Sequence, residues 1–168
     1  MHEIFVKLIL LLITIISVAG LIIVIYSRKS SQITSRLFLI VLLLVIFYLI
    51  SHALHFLILR IPDVTVLDLS CHSFLLLIIV ALTFFSMNFP KPDRSSNLTK
   101  VIILAPALIL LVLLWKGDIV TGSHSHIIKF EAHYSNLYPL FLIYYFALLL
   151  FNTISLSTKF KREKDEST

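Results

Sequence analysis

The stretch Leu37–Leu59, LFLIVLLLVIFYLISHALHFLIL, decides the fold. It runs for 23 residues without Asp, Glu, Lys, Arg, Gly or Pro. An α-helix of that length rises about 1.5 Å per residue, enough to cross a bilayer core that needs ~20 apolar residues. Four more apolar runs follow, Ile4–Tyr26, Leu69–Phe89, Val101–Trp115 and Leu137–Ser157, and all but Val101–Trp115 are long enough to cross. The chain has 168 residues, of which 59% are hydrophobic, and its mean hydropathy is +1.02. A soluble domain of this size cannot bury so much apolar surface, since ~45–50% is usual. The sequence therefore predicts an all-α, polytopic membrane helix bundle with the lipid bilayer as its main partner.

Charge placement gives the orientation. The connection 27–36 carries Arg28, Lys29 and Arg36, and 90–100 carries Lys91, Arg94 and Lys100. The end of the chain adds Lys159, Lys161, Arg162 and Lys164. Ten of the fourteen Lys and Arg lie in these three segments, which the positive-inside rule assigns to the cytoplasm. The short turn 60–68, the loop 116–136 and His2 then fall outside. The expectation is five crossings of the cell (inner) membrane, N-terminus out and C-terminus in. Residues 1–158 form the membrane domain and 159–168 a charged cytoplasmic tail. The net charge of +5 is a topology signal on this reading, and nucleic acid is not an expected partner.

Several boundaries carry local signals. Ser17-Val18-Ala19 has the small residues of a signal-peptidase site, but the apolar run continues to Tyr26 and ends in Arg28-Lys29. An uncleaved first span is expected. The fourth run is the shortest and contains Pro106, which removes one backbone donor; neighbouring helices can satisfy the freed carbonyl. Asp68 is expected to cap the third span, and Pro139 sits in the first turn of the fifth, where it is tolerated.

Polar residues inside membrane spans are the default functional candidates. Asn152 in the fifth span reads as helix–helix glue. His52 and His55, three apart, share one face of the second span. His55 lies ~7 Å and His52 ~12 Å from its outer end, and His72 ~6 Å into the third span. With Cys71 they sit at similar depth on helices joined by a short turn. The loop 116–136 adds His124, His126 and His133, with Glu131 and Asp118. Imidazoles can titrate between pH 5 and 8, hold zinc or copper, or ligate haem iron. They can equally be local hydrogen-bonding groups. No strict metal motif is present, so no cofactor is required. The lone cysteine, Cys71, excludes an internal disulfide and a Cys-pair metal motif. Phosphate loops, His-Glu-x-x-His and Gly-x-Ser-x-Gly are all absent, so the chain reads as non-enzymatic.

The order of features resembles the N-terminal seven-transmembrane sensor region of bacterial histidine kinases and diguanylate cyclases. The matching pieces are Tyr26-Ser27-Arg28-Lys29 closing the first span and Ser35-Arg36-Leu37-Phe38 opening the second. Ile46–His55 resembles the family's aromatic-then-acidic stretch, Ala81–Pro90 its third-span exit, and Asn136–Tyr145 its fifth-span start; Pro106 also fits. The chain departs from that pattern in three ways. His55 stands where the family carries an acid, the third span lacks a proline, and five spans are followed by no kinase, cyclase or phosphoacceptor segment. The resemblance implies a shortened, sensor-like signal-transduction module that works through a separate signalling partner or as a homo-oligomer. The alternative is a metal- or haem-binding membrane protein using its outer histidines.

Overall fold

The computed structural model describes residues 2–27, 33–57, 65–89, 97–125 and 130–166. These form helices α1 (His2–Ser27), α2 (Ile33–Leu57), α3 (Thr65–Asn88) and α4 (Asn97–Trp115). A β-hairpin follows, of β1 (Val120–Ser125) and β2 (Phe130–Tyr134), and then α5 (Tyr138–Glu166). Among the described residues the fold is helical apart from that hairpin. Four helices, α2 to α5, are long and apolar enough to cross a membrane. In α1 the apolar stretch with described side chains, Ile9–Ile23, is shorter.

Large apolar side chains such as Leu10, Ile16, Leu108, Ile143 and Leu150 lie on the exterior. In lipid this is the expected surface, because hydrocarbon is as apolar as leucine. The helices need another reason to associate, and α3 supplies it. It packs against α2, α4, α5 and β1, whereas α1 packs against α2. It is also the helix richest in buried polar groups: Asp68, Ser73, Thr83 and Ser86 are all under one-tenth exposed. Several of its hydroxyls bond back one turn, as Ser73 Oγ does to Leu69 O at 2.8 Å and Thr83 Oγ1 to Ile79 O at 2.8 Å.

Ring pairs set the register of α2 on α3. Phe38 meets Phe85 and Phe47 meets Phe74, so the two helices run antiparallel. Thr34 Oγ1, in the first turn of α2, donates to Asn88 O at the end of α3. The helix α5 runs parallel to α3, since Phe141 contacts His72 near one end and Lys159 reaches Ser86 and Met87 near the other. Two apolar clusters fill the bundle. One joins Leu69, Leu76, Leu110, Leu114 and Phe141 to Ile119 and Val120 of the hairpin; the other joins Ile79, Val80, Met87, Ile103, Ala107 and Leu148.

Pro106 lies inside α4. Its missing N–H leaves the Ile102 carbonyl without its helical donor. In the same turn the Tyr144 hydroxyl, from α5, donates to the next carbonyl, Ile103 O. A neighbouring helix thus buttresses the weakened turn.

The hairpin replaces what the sequence presents as a polar loop, and its entry and exit explain why it forms. Gly117, at φ 82°, ends α4. Gly117 N donates to Leu114 O at 3.1 Å and Asp118 N to Leu113 O at 3.0 Å, the paired bonds of a Schellman motif. The turned chain drops Ile119 and Val120 into the bundle, where both are buried. At the exit, Ser135 Oγ accepts from Leu137 N at 3.1 Å, which caps the start of α5. The same hydroxyl donates to Asp118 O, and Ser135 N donates to Ile119 O at 2.9 Å. One serine therefore ties the end of α4, the hairpin and the start of α5 together.

The left-handed residue at position 117 is the sensitive point. Gly117→Ala puts a Cβ where L side chains pay ~1–2 kcal/mol. The hairpin should lose stability by ~1 kcal/mol, read as faster amide exchange in β1 and β2 with the helical circular dichroism unchanged.

Candidate functional site

The side chains that the sequence singles out do not all meet. His72 and Cys71 lie at the end of the second turn of α3, beneath the hairpin, with Cys71 buried and free of any disulfide. His52 lies towards the same end of α2, half-buried, its ring stacked on Tyr48 with centroids 5.9 Å apart. His133 is exposed on β2, and its carbonyl accepts from Thr121 Oγ1 at 3.0 Å. His124 pairs with Glu131 in the hairpin register, and His55 falls in the last turn of α2; only their backbones are described. His126 lies outside the described residues. Among the described residues, no three His, Cys, Asp or Glu side chains converge as a metal-holding group.

What the structure brings to His72 instead is Asp68, four residues earlier on the same helix. Asp68 does not cap α3 as its sequence position suggests. The helix begins at Thr65, so Asp68 lies within its first turn and is buried at 4% exposure. His72 Nδ1 sits 2.9 Å from the Asp68 main-chain oxygen and 3.4 Å from Oδ1. Both neighbours are acceptors, so Nδ1 carries the proton and donates to them. The other carboxyl oxygen, Oδ2, is buried with no hydrogen-bond partner. A buried, underbonded carboxylate oxygen is costly.

An aromatic wall closes the other side. The His72 ring lies 5.7 Å from Phe141, 5.9 Å from Tyr138 and 6.0 Å from Tyr134, centroid to centroid. Tyr134 and Tyr138 stack at 4.0 Å. On the adjoining face the sole tryptophan, Trp115, donates from Nε1 to Ser73 Oγ at 3.0 Å. The dyad thus sits where α3, the end of α4, the hairpin and the start of α5 meet.

The pairing was visible in the sequence as an Asp-x-x-x-His spacing, one helical turn apart. Reading Asp68 as a cap hid it. The hairpin contribution was harder to see, because Tyr134 reaches His72 only through the strand that carries it.

A second polar cluster lies near the opposite end of α3. Asn152 of α5 is 2% exposed and its Oδ1 is 2.8 Å from Ser86 Oγ, which is also 2.9 Å from Thr83 O. Serine has one proton for these two acceptors. If it goes to Thr83, the Asn152 amide bonds best with its nitrogen towards Ser86. Above this cluster Lys159 Nζ donates to Ser86 O at 3.0 Å and Met87 O at 2.9 Å. A lysine there satisfies carbonyls that the last turn of a helix leaves open.

No protein-family model, no characterised protein and no solved structure matches the chain.

Two outcomes follow from these clusters. Burial chiefly, then the charge of Asp68 and contact with Tyr138, push the Tyr134 phenol from 10.0 up to about 12. The neutral phenol is therefore the form the seated hairpin prefers. Its contribution is intact below pH 10.0 and lost as pH rises towards about 12. Hairpin amide exchange should accelerate through that window in the wild type, and Tyr134→Phe should remove this component. At the other cluster, Asn152→Leu removes one intramembrane hydrogen bond and should cost ~0.5–1.7 kcal/mol by reversible unfolding in detergent.

Proposed function

We propose that the chain is a non-enzymatic, sensor-like module of the cell (inner) membrane, acting with a separate output partner. It crosses five times, with the N-terminus out and the C-terminus in. The hairpin end of the bundle is then the outer, receiving end, and the Lys159–Thr168 end is the cytoplasmic one.

One observation carries this reading. The helix α5 starts at the hairpin, held by the Ser135 cap and the Tyr134–Tyr138 stack, and continues unbroken to Glu166. A single rigid element therefore connects the outer site to the basic segment containing Lys159 and Lys161. The described part of the charged segment, up to Glu166, continues this helix. A helix that passes straight from membrane to cytoplasm can carry a shift or rotation to a partner without any catalytic domain of its own. The charge asymmetry supports the orientation, and the order of features shared with seven-transmembrane sensor regions supports the class.

The test uses single cysteines on a Cys71→Ala background, labelled in intact cells with an impermeant reagent. Ser125→Cys should label from outside, whereas Asn97→Cys and Lys164→Cys should label only after permeabilisation. Outside labelling of Asn97→Cys removes the five-span topology. For the coupling, a spin label at position 164 should change mobility when Tyr134→Ala unseats the hairpin. If that label is indifferent to the hairpin, the transmission reading is wrong.

A further inference from the structure

We propose that the Asp68–His72 pair is a proton-binding site, and that its occupancy sets how firmly the hairpin is seated on the bundle through Tyr134. This deepens the sensor reading by naming the stimulus, and it rests on that reading for the outer placement of the site.

With Asp68 ionised and His72 neutral, the pair carries one negative charge in a water-poor setting. Only one carboxyl oxygen approaches a donor, and at 3.4 Å that contact is long. The other oxygen has none. One added proton removes the net charge. It can go to Asp68 Oδ2, making a neutral acid, or to His72 Nε2, making an ion pair with the carboxylate. In either form the buried charge is cancelled or paired. An imidazolium at this position also has three aromatic centroids within 6.0 Å, the range over which rings attract cations.

The geometry then makes the proton a ligand of the closed form. Tyr134 contributes one of those rings, and it arrives on β2. Lifting the hairpin removes that ring and admits water to Asp68. Water solvates the free carboxylate and removes the reason to hold the proton. The closed form therefore binds the proton more tightly than the open form. By linkage, acid favours the seated hairpin and alkali favours release.

Other titratable groups surround the pair. Asp68 acts electrostatically on His52 from α2, Cys71 on α3 itself, Tyr134 from β2 and Tyr138 from α5. The group facing the site from α4 is Trp115, bonded to Ser73, which does not titrate. The thiol and the two phenols start in their neutral forms at physiological pH. Of the described groups on which Asp68 acts, His52 is the one that titrates in the relevant range, and it serves as the control.

The experiment measures amide exchange in β1 and β2 of the full chain in lipid nanodiscs, at about pH 5.5 and about pH 8, the range in which histidine titrates. Rates are normalised to an unstructured peptide of the same sequence at each pH. Hairpin protection should be about tenfold greater in acid, the effect of one proton held ten times more tightly in the closed form. Asp68→Asn and His72→Gln should each flatten the dependence, and His52→Gln should leave it. Equal protection at both pH values in the wild type overturns the proposal without any variant. So does a full acid effect in a folded Asp68→Asn or His72→Gln protein, or its loss in His52→Gln. If Asp68→Asn does not fold, the wild type, His72→Gln and His52→Gln still decide. A hairpin that responds to acid while the label at position 164 stays unmoved keeps the proton site and removes the sensor reading. A flat hairpin with a coupled label does the reverse.

Discussion

Hydrocarbon offers no hydrogen-bond partners, and that constraint governs this fold. Every polar side chain in a span must find its partner inside the protein. The helix α3 carries Asp68, Ser73, Thr83 and Ser86 into the interior, and it is the helix that α2, α4 and α5 all pack around. Apolar burial cannot explain that arrangement, since leucine gains nothing by leaving lipid for protein. Polar satisfaction and close packing can. The described hydroxyls of α1, Thr14 and Ser17, bond back to their own helix, and α1 packs against α2.

The two ends of α3 then acquire different chemistry. Near its start, Asp68 and His72 meet aromatic rings supplied by the hairpin and α5. Near its end, Ser86 and Met87 offer carbonyls to Lys159, and Ser86 also meets Asn152. The helix α5 contributes to both clusters, through Tyr138 and Phe141 at one and Asn152 and Lys159 at the other. The helix α5 runs without a break from one cluster to the other. At the first cluster Asp68 Oδ2 is buried without a hydrogen-bond partner.

The membrane character was legible in the sequence because hydropathy is local and the runs are long. Helix starts came within a few residues: the run beginning at Leu69 became a helix from Thr65, and that from Val101 a helix from Asn97, whereas α5 continues to Glu166, well past Ser157. The burial and pairing of Asp68 were not legible from charge placement alone, since a residue beside a span end reads as a cap. The earlier start of α3 changes its role. The hairpin was missed because polar residues such as Thr121, Ser123 and His124 obscure the strand pattern. Its stability comes from Ile119, Val120 and Tyr134 touching the bundle, a tertiary effect. Lys159 reads as one more basic tail residue until α5 is seen to run parallel to α3, which brings its ammonium to the last carbonyls of that helix.

The same two charges fit the electrostatics of α3 as a whole. A helix carries partial positive charge at its start and partial negative charge at its end, and the field is strongest where water is excluded. Asp68 occupies the first turn and Lys159 meets the last. Each charge is on the favourable side, so the helix gains from both without the two side chains touching. Removing the carboxylate charge by protonation weakens the first interaction, whereas moving the proton to His72 preserves it and adds a positive partner beside it. The ion-paired form presents a cation to Tyr134, Tyr138 and Phe141, and of the two protonated forms it is the one that ties proton uptake to the ring carried by the hairpin.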